Sequence, residues 1–170
     1  MSENNQPNFQ VFTTRLDEYH VLGYLFKEID HSKMGEYYEK YEKNQPLRDF
    51  AAKHSTLDNR LVGIISGRDF IAGAIVEGIT EVPEDAQLMK FPASDFLVIT
   101  HDYTETEPEC YPLIGMTVSY AHSNDVQIPD GYERYSDPNG YMERFNFNHD
   151  ENKFRTEVWF AIRKTNISKI

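Results

Sequence analysis

The pattern that most limits the fold lies near the C-terminus, where Phe154-Arg-Thr-Glu-Val-Trp-Phe-Ala-Ile-Arg163 alternates along its length. Successive residues of a strand face opposite ways, so Val158, Phe160 and Ile162 share an apolar face. Glu157, Trp159 and Ala161 share the other. The preceding segment, Gly140-Tyr-Met-Glu-Arg-Phe-Asn146, alternates too and places Tyr141, Glu143 and Phe145 together. With residues 147–153 as a polar connection, the two segments read as an antiparallel hairpin. Its expected outcome is one face carrying Glu143 and Glu157 among Tyr141, Phe145 and Trp159. A core has no use for two carboxylates among rings. These five residues are therefore the candidate site, suited to a flat, positively charged molecule.

The rest of the chain supplies a body for that hairpin. Its 170 residues fit one domain or two small halves sharing a core. Only 39% of them are hydrophobic, but 11 Tyr and 11 Phe give large burial areas. The formal net charge of -11 opposes direct nucleic-acid binding, which needs phosphates neutralised by Lys and Arg. One cysteine, Cys110, forms no disulfide within the chain. The first residues show no signal-peptide pattern and no apolar run reaches membrane-span length, so the expectation is a cytoplasmic protein without membrane contact.

Taken in order, residues 1–8 and 165–170 read as tails, and Phe9 to Phe12 alternates weakly. Tyr19 to Phe26 reads as a strand. Met34, Tyr37, Tyr38 and Tyr41 mark one face of a helix with Ser32 as its cap. Those tyrosines read mainly as core. Pro46 opens a second helix with Leu47, Phe50, Ala51 and His54 on one face. Asn59 to Ser66 and Phe70 to Ile79 then form a hairpin turning at Gly67-Arg-Asp69. The pattern restarts with a strand from Ala86 to Phe91 and a stronger one at Phe96-Leu-Val-Ile-Thr-His101. An acidic stretch, Glu105 to Glu109, leads into a helix over Cys110 to Ser123. Residues 125–139 read as a loop with local order at Tyr132 to Tyr135, and the closing hairpin follows.

This succession predicts an α+β fold of two pseudo-symmetric strand-helix-strand-strand modules, about 9–80 and 86–164, with a ligand cleft between them. The small residues of Ala72-Gly-Ala-Ile-Val-Glu-Gly78 would leave space, and Glu157 and Trp159 would wall it. The six histidines are scattered, so no metal site is expected, and no phosphate-cradling glycine spacing or nucleophile elbow calls for a cofactor or a covalent mechanism.

Phe91-Pro-Ala-Ser-Asp-Phe-Leu-Val-Ile-Thr-His101, Tyr141-Met-Glu-Arg-Phe145 and Thr156-Glu-Val-Trp-Phe-Ala-Ile-Arg-Lys164 together resemble the GyrI-like small-molecule-binding domain, which also forms the effector-binding half of multidrug-sensing transcription regulators. The resemblance spans roughly Phe9 to Lys164. It implies a ligand cleft in which acids matching Glu143 and Glu157 meet lipophilic cations. It also implies a stand-alone copy, since 170 residues leave no room for a DNA-binding segment beside the domain. A tryptophan-leucine-proline segment common after the family's second helix is missing here, with Thr117 to Ala121 in that region. Two functions stay open. One is a binding protein for hydrophobic or cationic small molecules. The other, which the resemblance to stand-alone members of that family implies, is a hydrolase opening cyclopropanoid natural products, with Glu157 or Glu143 as general base and Trp159 holding the substrate. A role as protein partner of a larger enzyme finds support only in the acidic charge.

Overall fold

The computed structural model describes residues 7–55, 61–136 and 140–165. In chain order its elements are β1 (Phe9–Leu16), β2 (Tyr19–Phe26), α1 (Met34–Glu42), α2 (Gln45–His54), β3 (Leu61–Ser66), β4 (Asp69–Val76), β5 (Gln87–Phe91), β6 (Ser94–His101), α3 (Glu107–Ala121), β7 (Tyr132–Arg134), β8 (Tyr141–Asn148) and β9 (Lys153–Lys164). This is the expected α+β succession. Asn59 and Arg60, expected to begin the first hairpin, lie outside the described residues.

The strands form one antiparallel sheet in the order β1-β6-β9-β8-β3-β4-β2-β5, with β7 extending the β8 side of β9. The order is symmetric about its middle. Hairpins β3–β4 and β8–β9 meet through β3 and β8, then β2 and β6 follow outward, then β5 and β1. α1 and α2 pack on the β2–β4 half, and α3 packs on the β6–β9 half. One sheet face is thus covered at both sides while the two central strands lie between the helix layers.

Local sequence explains the helix boundaries, with corrections. Asn44 caps α2 by accepting from the Leu47 amide, and Pro46 occupies its first turn, where a missing N–H costs nothing. Thr106 caps α3 earlier than expected, and Glu107 and Glu109 lie in the positive first turn. Ser32 does not cap α1. A 3-10 turn, His31–Lys33, precedes that helix, and its cap is Asp30, which accepts from the Ser32 amide.

The core has two sides. Against the helices lie Leu22, Tyr24, Phe70, Ala72 and Val76 with Tyr41, Leu47 and Ala51, and, in the other half, Leu97, Ile99, Val158, Phe160 and Ile162 with Ala121. The reverse face holds one cluster drawn from both halves, including Tyr19, Val21, Val62, Ile64, Phe91, Phe96, Met142 and Trp159. No helix residue belongs to it. A twisted, coiled sheet buries these side chains against one another.

Candidate functional site

Cross-strand register decides where the five candidate residues point. Glu143 lies opposite Val158, and Arg144 lies opposite Glu157. Val158 belongs to the helix-facing core, whereas Trp159 belongs to the reverse one. Tyr141, Glu143 and Phe145 therefore face the helices, and Glu157 and Trp159 face away from them. The expected single face with both carboxylates does not form. Its cause is the length of the connection. Phe147, Asn148 and Lys153 join the strands, so the turn shrinks from residues 147–153 to 149–152. Changing an odd-length connection to an even one moves every partner by one residue and exchanges the faces. The turn carries its own signal: the Asn148 side chain accepts from the Asp150 and Glu151 amides, and Asn152 takes a positive φ of 52°.

On the helix side, residues Tyr141, Glu143, Phe145 and Phe147 of β8 are all half-buried. Their neighbours on the same face of β9, Val158, Phe160 and Ile162, are at most 2% exposed. A groove thus runs along β8 between the two helix layers, floored by rings and one acid. Opposite Glu143 on β3 stands Gly63. A side chain there would overlap the Tyr38 hydroxyl, which lies over this glycine. The absent Cβ seats Tyr38 deep enough to reach the floor. The Tyr38 phenol donates to Glu143 Oε2 at 2.8 Å, and the Tyr141 phenol donates to Oε1 at 2.7 Å. Among the described residues no Lys, Arg or His lies within ion-pair distance of this carboxylate. Burial and the Glu143 charge hold both phenols well above the usual tyrosine range. They remain neutral donors, and the nearby Arg134 guanidinium lies over the Phe160 ring and opposes the shift of Tyr141 without pairing with the acid.

The groove's walls are aromatic as well. Tyr38 meets Phe145 edge-on at 5.3 Å, and Tyr111 of α3 meets Phe147 at 6.3 Å. His122 lies 5.8 Å from the Tyr141 ring. Near the Tyr111 end, Glu42 of α1 is pushed up by its own partial burial and by Glu107, while Arg48 opposes this. Towards the other end Ile65, the partner of Tyr141, borders a hollow also lined by Glu28, Ile29, His31, Gly67 and Arg68.

Glu157 has a different setting. It is 3% exposed, its Oε2 is 3.0 Å from Arg155 Nη2, and its Oε1 accepts from Trp159 Nε1 at 3.1 Å. Arg144 stands opposite it in register and stacks on the Trp159 ring at 4.6 Å. This carboxylate is ion-paired and enclosed. Tyr38, read from the sequence mainly as core, joins Glu143 instead. Its helical spacing could not separate a residue beneath a helix from one at its edge, but Gly63 in an otherwise bulky strand marks where a neighbouring group must come close.

Neither a protein-family model nor a curated protein sequence matches the chain. Solved structures do. One is SAV2435 bound to tetraphenylphosphonium, with a TM-score of 0.62 and 11% identity over 91% of this chain and 94% of that one. Another is a putative bacterial transcription regulation protein from Staphylococcus aureus MU50, with a TM-score of 0.60 and 13% identity over 93% and 99%. A third is an integron cassette protein from the mobile metagenome of Vibrio cholerae, with a TM-score of 0.55 and 15% identity over 95% and 100%. The chain shares their fold, the one that its likeness to GyrI-like domains leads one to expect.

Proposed function

We propose that the protein binds lipophilic, aromatic cations in the groove along β8, with Glu143 as the charge partner and Tyr38, Tyr141, Phe145 and Phe147 as the surrounding rings. The observation that carries this reading is that Glu143 has no ion pair: two neutral phenols hold it, and no cationic side chain comes within ion-pair distance among the described residues. A carboxylate in a half-buried aromatic groove is oriented by such donors, yet it still attracts a positive charge. Each ring facing a cation would add about 0.5–2 kcal/mol. The tetraphenylphosphonium carried by a protein of the same fold is a molecule of this chemistry. Few directional groups and many rings favour breadth over strict selectivity.

Titration with tetraphenylphosphonium and with tetraphenylborate, its near-isosteric anion, tests the reading. The cation should bind and the anion should not. Glu143→Gln should weaken the cation about tenfold, or ~1.4 kcal/mol. Equal binding of both ions, or an unchanged cation affinity in the variant, would overturn it. The hydrolase reading gains no specific support: Glu157 is enclosed by Arg155 and Trp159, and Trp159, its expected substrate holder, lies on the face opposite Glu143.

A further inference from the structure

We propose that the reverse face of the β8–β9 hairpin holds a site for hydrogen phosphate between Arg144, Asn146 and Arg155. Among the described residues, the buried side-chain nitrogen and oxygen atoms with no hydrogen-bond partner are Arg144 Nε, Asn146 Oδ1 and Arg155 Nε. These three belong to neighbouring positions. Asn146 lies directly opposite Arg155, and Arg144 is two residues from Asn146 on the same strand face. Buried polar atoms are nearly always paired, so three orphans at one spot mark an occupant.

Charge and geometry narrow its chemistry. Two guanidiniums stand here against one carboxylate, Glu157, whose oxygens are taken by Arg155 Nη2 and Trp159 Nε1. Arg144 is only 6% exposed, and its flat face is taken by the Trp159 ring. Arg155 lies over Tyr103 at 4.3 Å. With their faces covered, both guanidiniums have Nε edges left to donate. Two cationic donors and one uncompensated positive charge call for an oxyanion. Asn146 Oδ1 is an acceptor, so the occupant must also donate. At neutral pH phosphate retains a proton and sulfate does not. Access lies along Arg155, whose side chain is 19% exposed, and past Tyr103, which is 49% exposed. This site is on the opposite face from Glu143 and does not depend on the groove.

Calorimetric titration and thermal unfolding with phosphate, sulfate and chloride at equal ionic strength test the proposal. Phosphate should bind at least tenfold more tightly than sulfate and raise Tm beyond the chloride control. Asn146→Asp, nearly isosteric and anionic, should abolish phosphate binding in protein that remains folded by circular dichroism. Glu143→Gln should leave it unchanged. Phosphate acting no better than chloride would show that water fills the site and overturn the proposal. Equal phosphate and sulfate affinities, or phosphate binding that survives Asn146→Asp, would overturn it too.

Discussion

Glu143 and Glu157 stand on neighbouring strands and face opposite sides of the sheet, Glu143 across from Val158 and Glu157 across from Arg144. Their surroundings differ in kind. Neutral phenols hold the first at the floor of an open groove, and an arginine and an indole N–H hold the second inside.

Charge removal should therefore affect the two acids differently. Glu157→Gln leaves Arg155 without its ion pair and Arg144 without the nearest negative charge, in a place with little water. Breaking one side of a buried pair costs about 3–5 kcal/mol. Urea unfolding should show a midpoint lowered accordingly. Glu143→Gln breaks no ion pair, and its unfolding free energy should fall by less than about 1 kcal/mol. A larger loss from Glu143→Gln than from Glu157→Gln would contradict the assignment of roles.

Gly63 should be intolerant of a methyl group. A Cβ there meets the Tyr38 hydroxyl, so Gly63→Ala must push the ring away from Glu143. Overpacking of this kind costs about 1–3 kcal/mol. The displaced phenol also loses its bond to Oε2, so tetraphenylphosphonium affinity should change together with stability. The double variant Gly63→Ala with Tyr38→Leu should recover part of the stability but not the native affinity. A Gly63→Ala variant as stable as the parent would show that Tyr38 has room to move.

Much of the fold was legible because its signals are local. Alternation marks β6 and β9, Pro46 marks the start of α2, and the acidic stretch Glu105 to Glu109 with Pro108 marks the approach to α3. The site was legible only by halves. The sequence shows that Tyr141, Glu143 and Phe145 share a side, and that Glu157 and Trp159 share one. Whether those sides coincide depends on the connection, where Asn148 and Asn152 decide between an even and an odd turn. Arg144 alternates with Tyr141, Glu143 and Phe145, whereas Arg155 shares the face of Glu157 and Trp159. As basic positions inside strands of an acidic protein, they are the groups that neutralise Glu157. Tyr38 required tertiary information, since only its position over Gly63 separates it from Tyr41, which is 1% exposed.

Cys110 should be chemically silent in the folded protein. It is fully buried, its Sγ lies 3.9 Å from His101 Nε2, and burial pushes the thiol up to about 11. The thiolate is the reactive form, so alkylation by iodoacetamide at pH 8 should follow unfolding. Modification in native buffer should be at least a hundredfold slower than in concentrated urea. Rapid native labelling would mean that α3 opens readily from β6 and β9.

His101 should give the protein a stability loss on mild acidification. Its ring is fully buried, and Nδ1–H donates to the Asp102 carbonyl at 2.7 Å. Nε2 then has to be the acceptor, and it receives the Thr156 amide at 3.0 Å and the Thr156 hydroxyl at 2.9 Å. A proton on Nε2 would set N–H against N–H. Burial, and secondarily the Arg155 charge, hold this histidine below its ordinary 6.5, while the Asp102 carbonyl bond opposes the shift. The folded state thus binds this proton less readily than the unfolded chain. The stabilisation is complete above about pH 6.5 and declines as pH falls from there towards the folded value, by at most about 1.4 kcal/mol per pH unit. Unfolding free energies from urea titrations at pH 5, 6, 7 and 8 should rise to a plateau near neutrality. His101→Gln, which can still accept the Thr156 amide, should be less stable at pH 8 yet nearly flat across this window. A variant retaining the full slope between pH 5 and 7 would place the titrating group elsewhere.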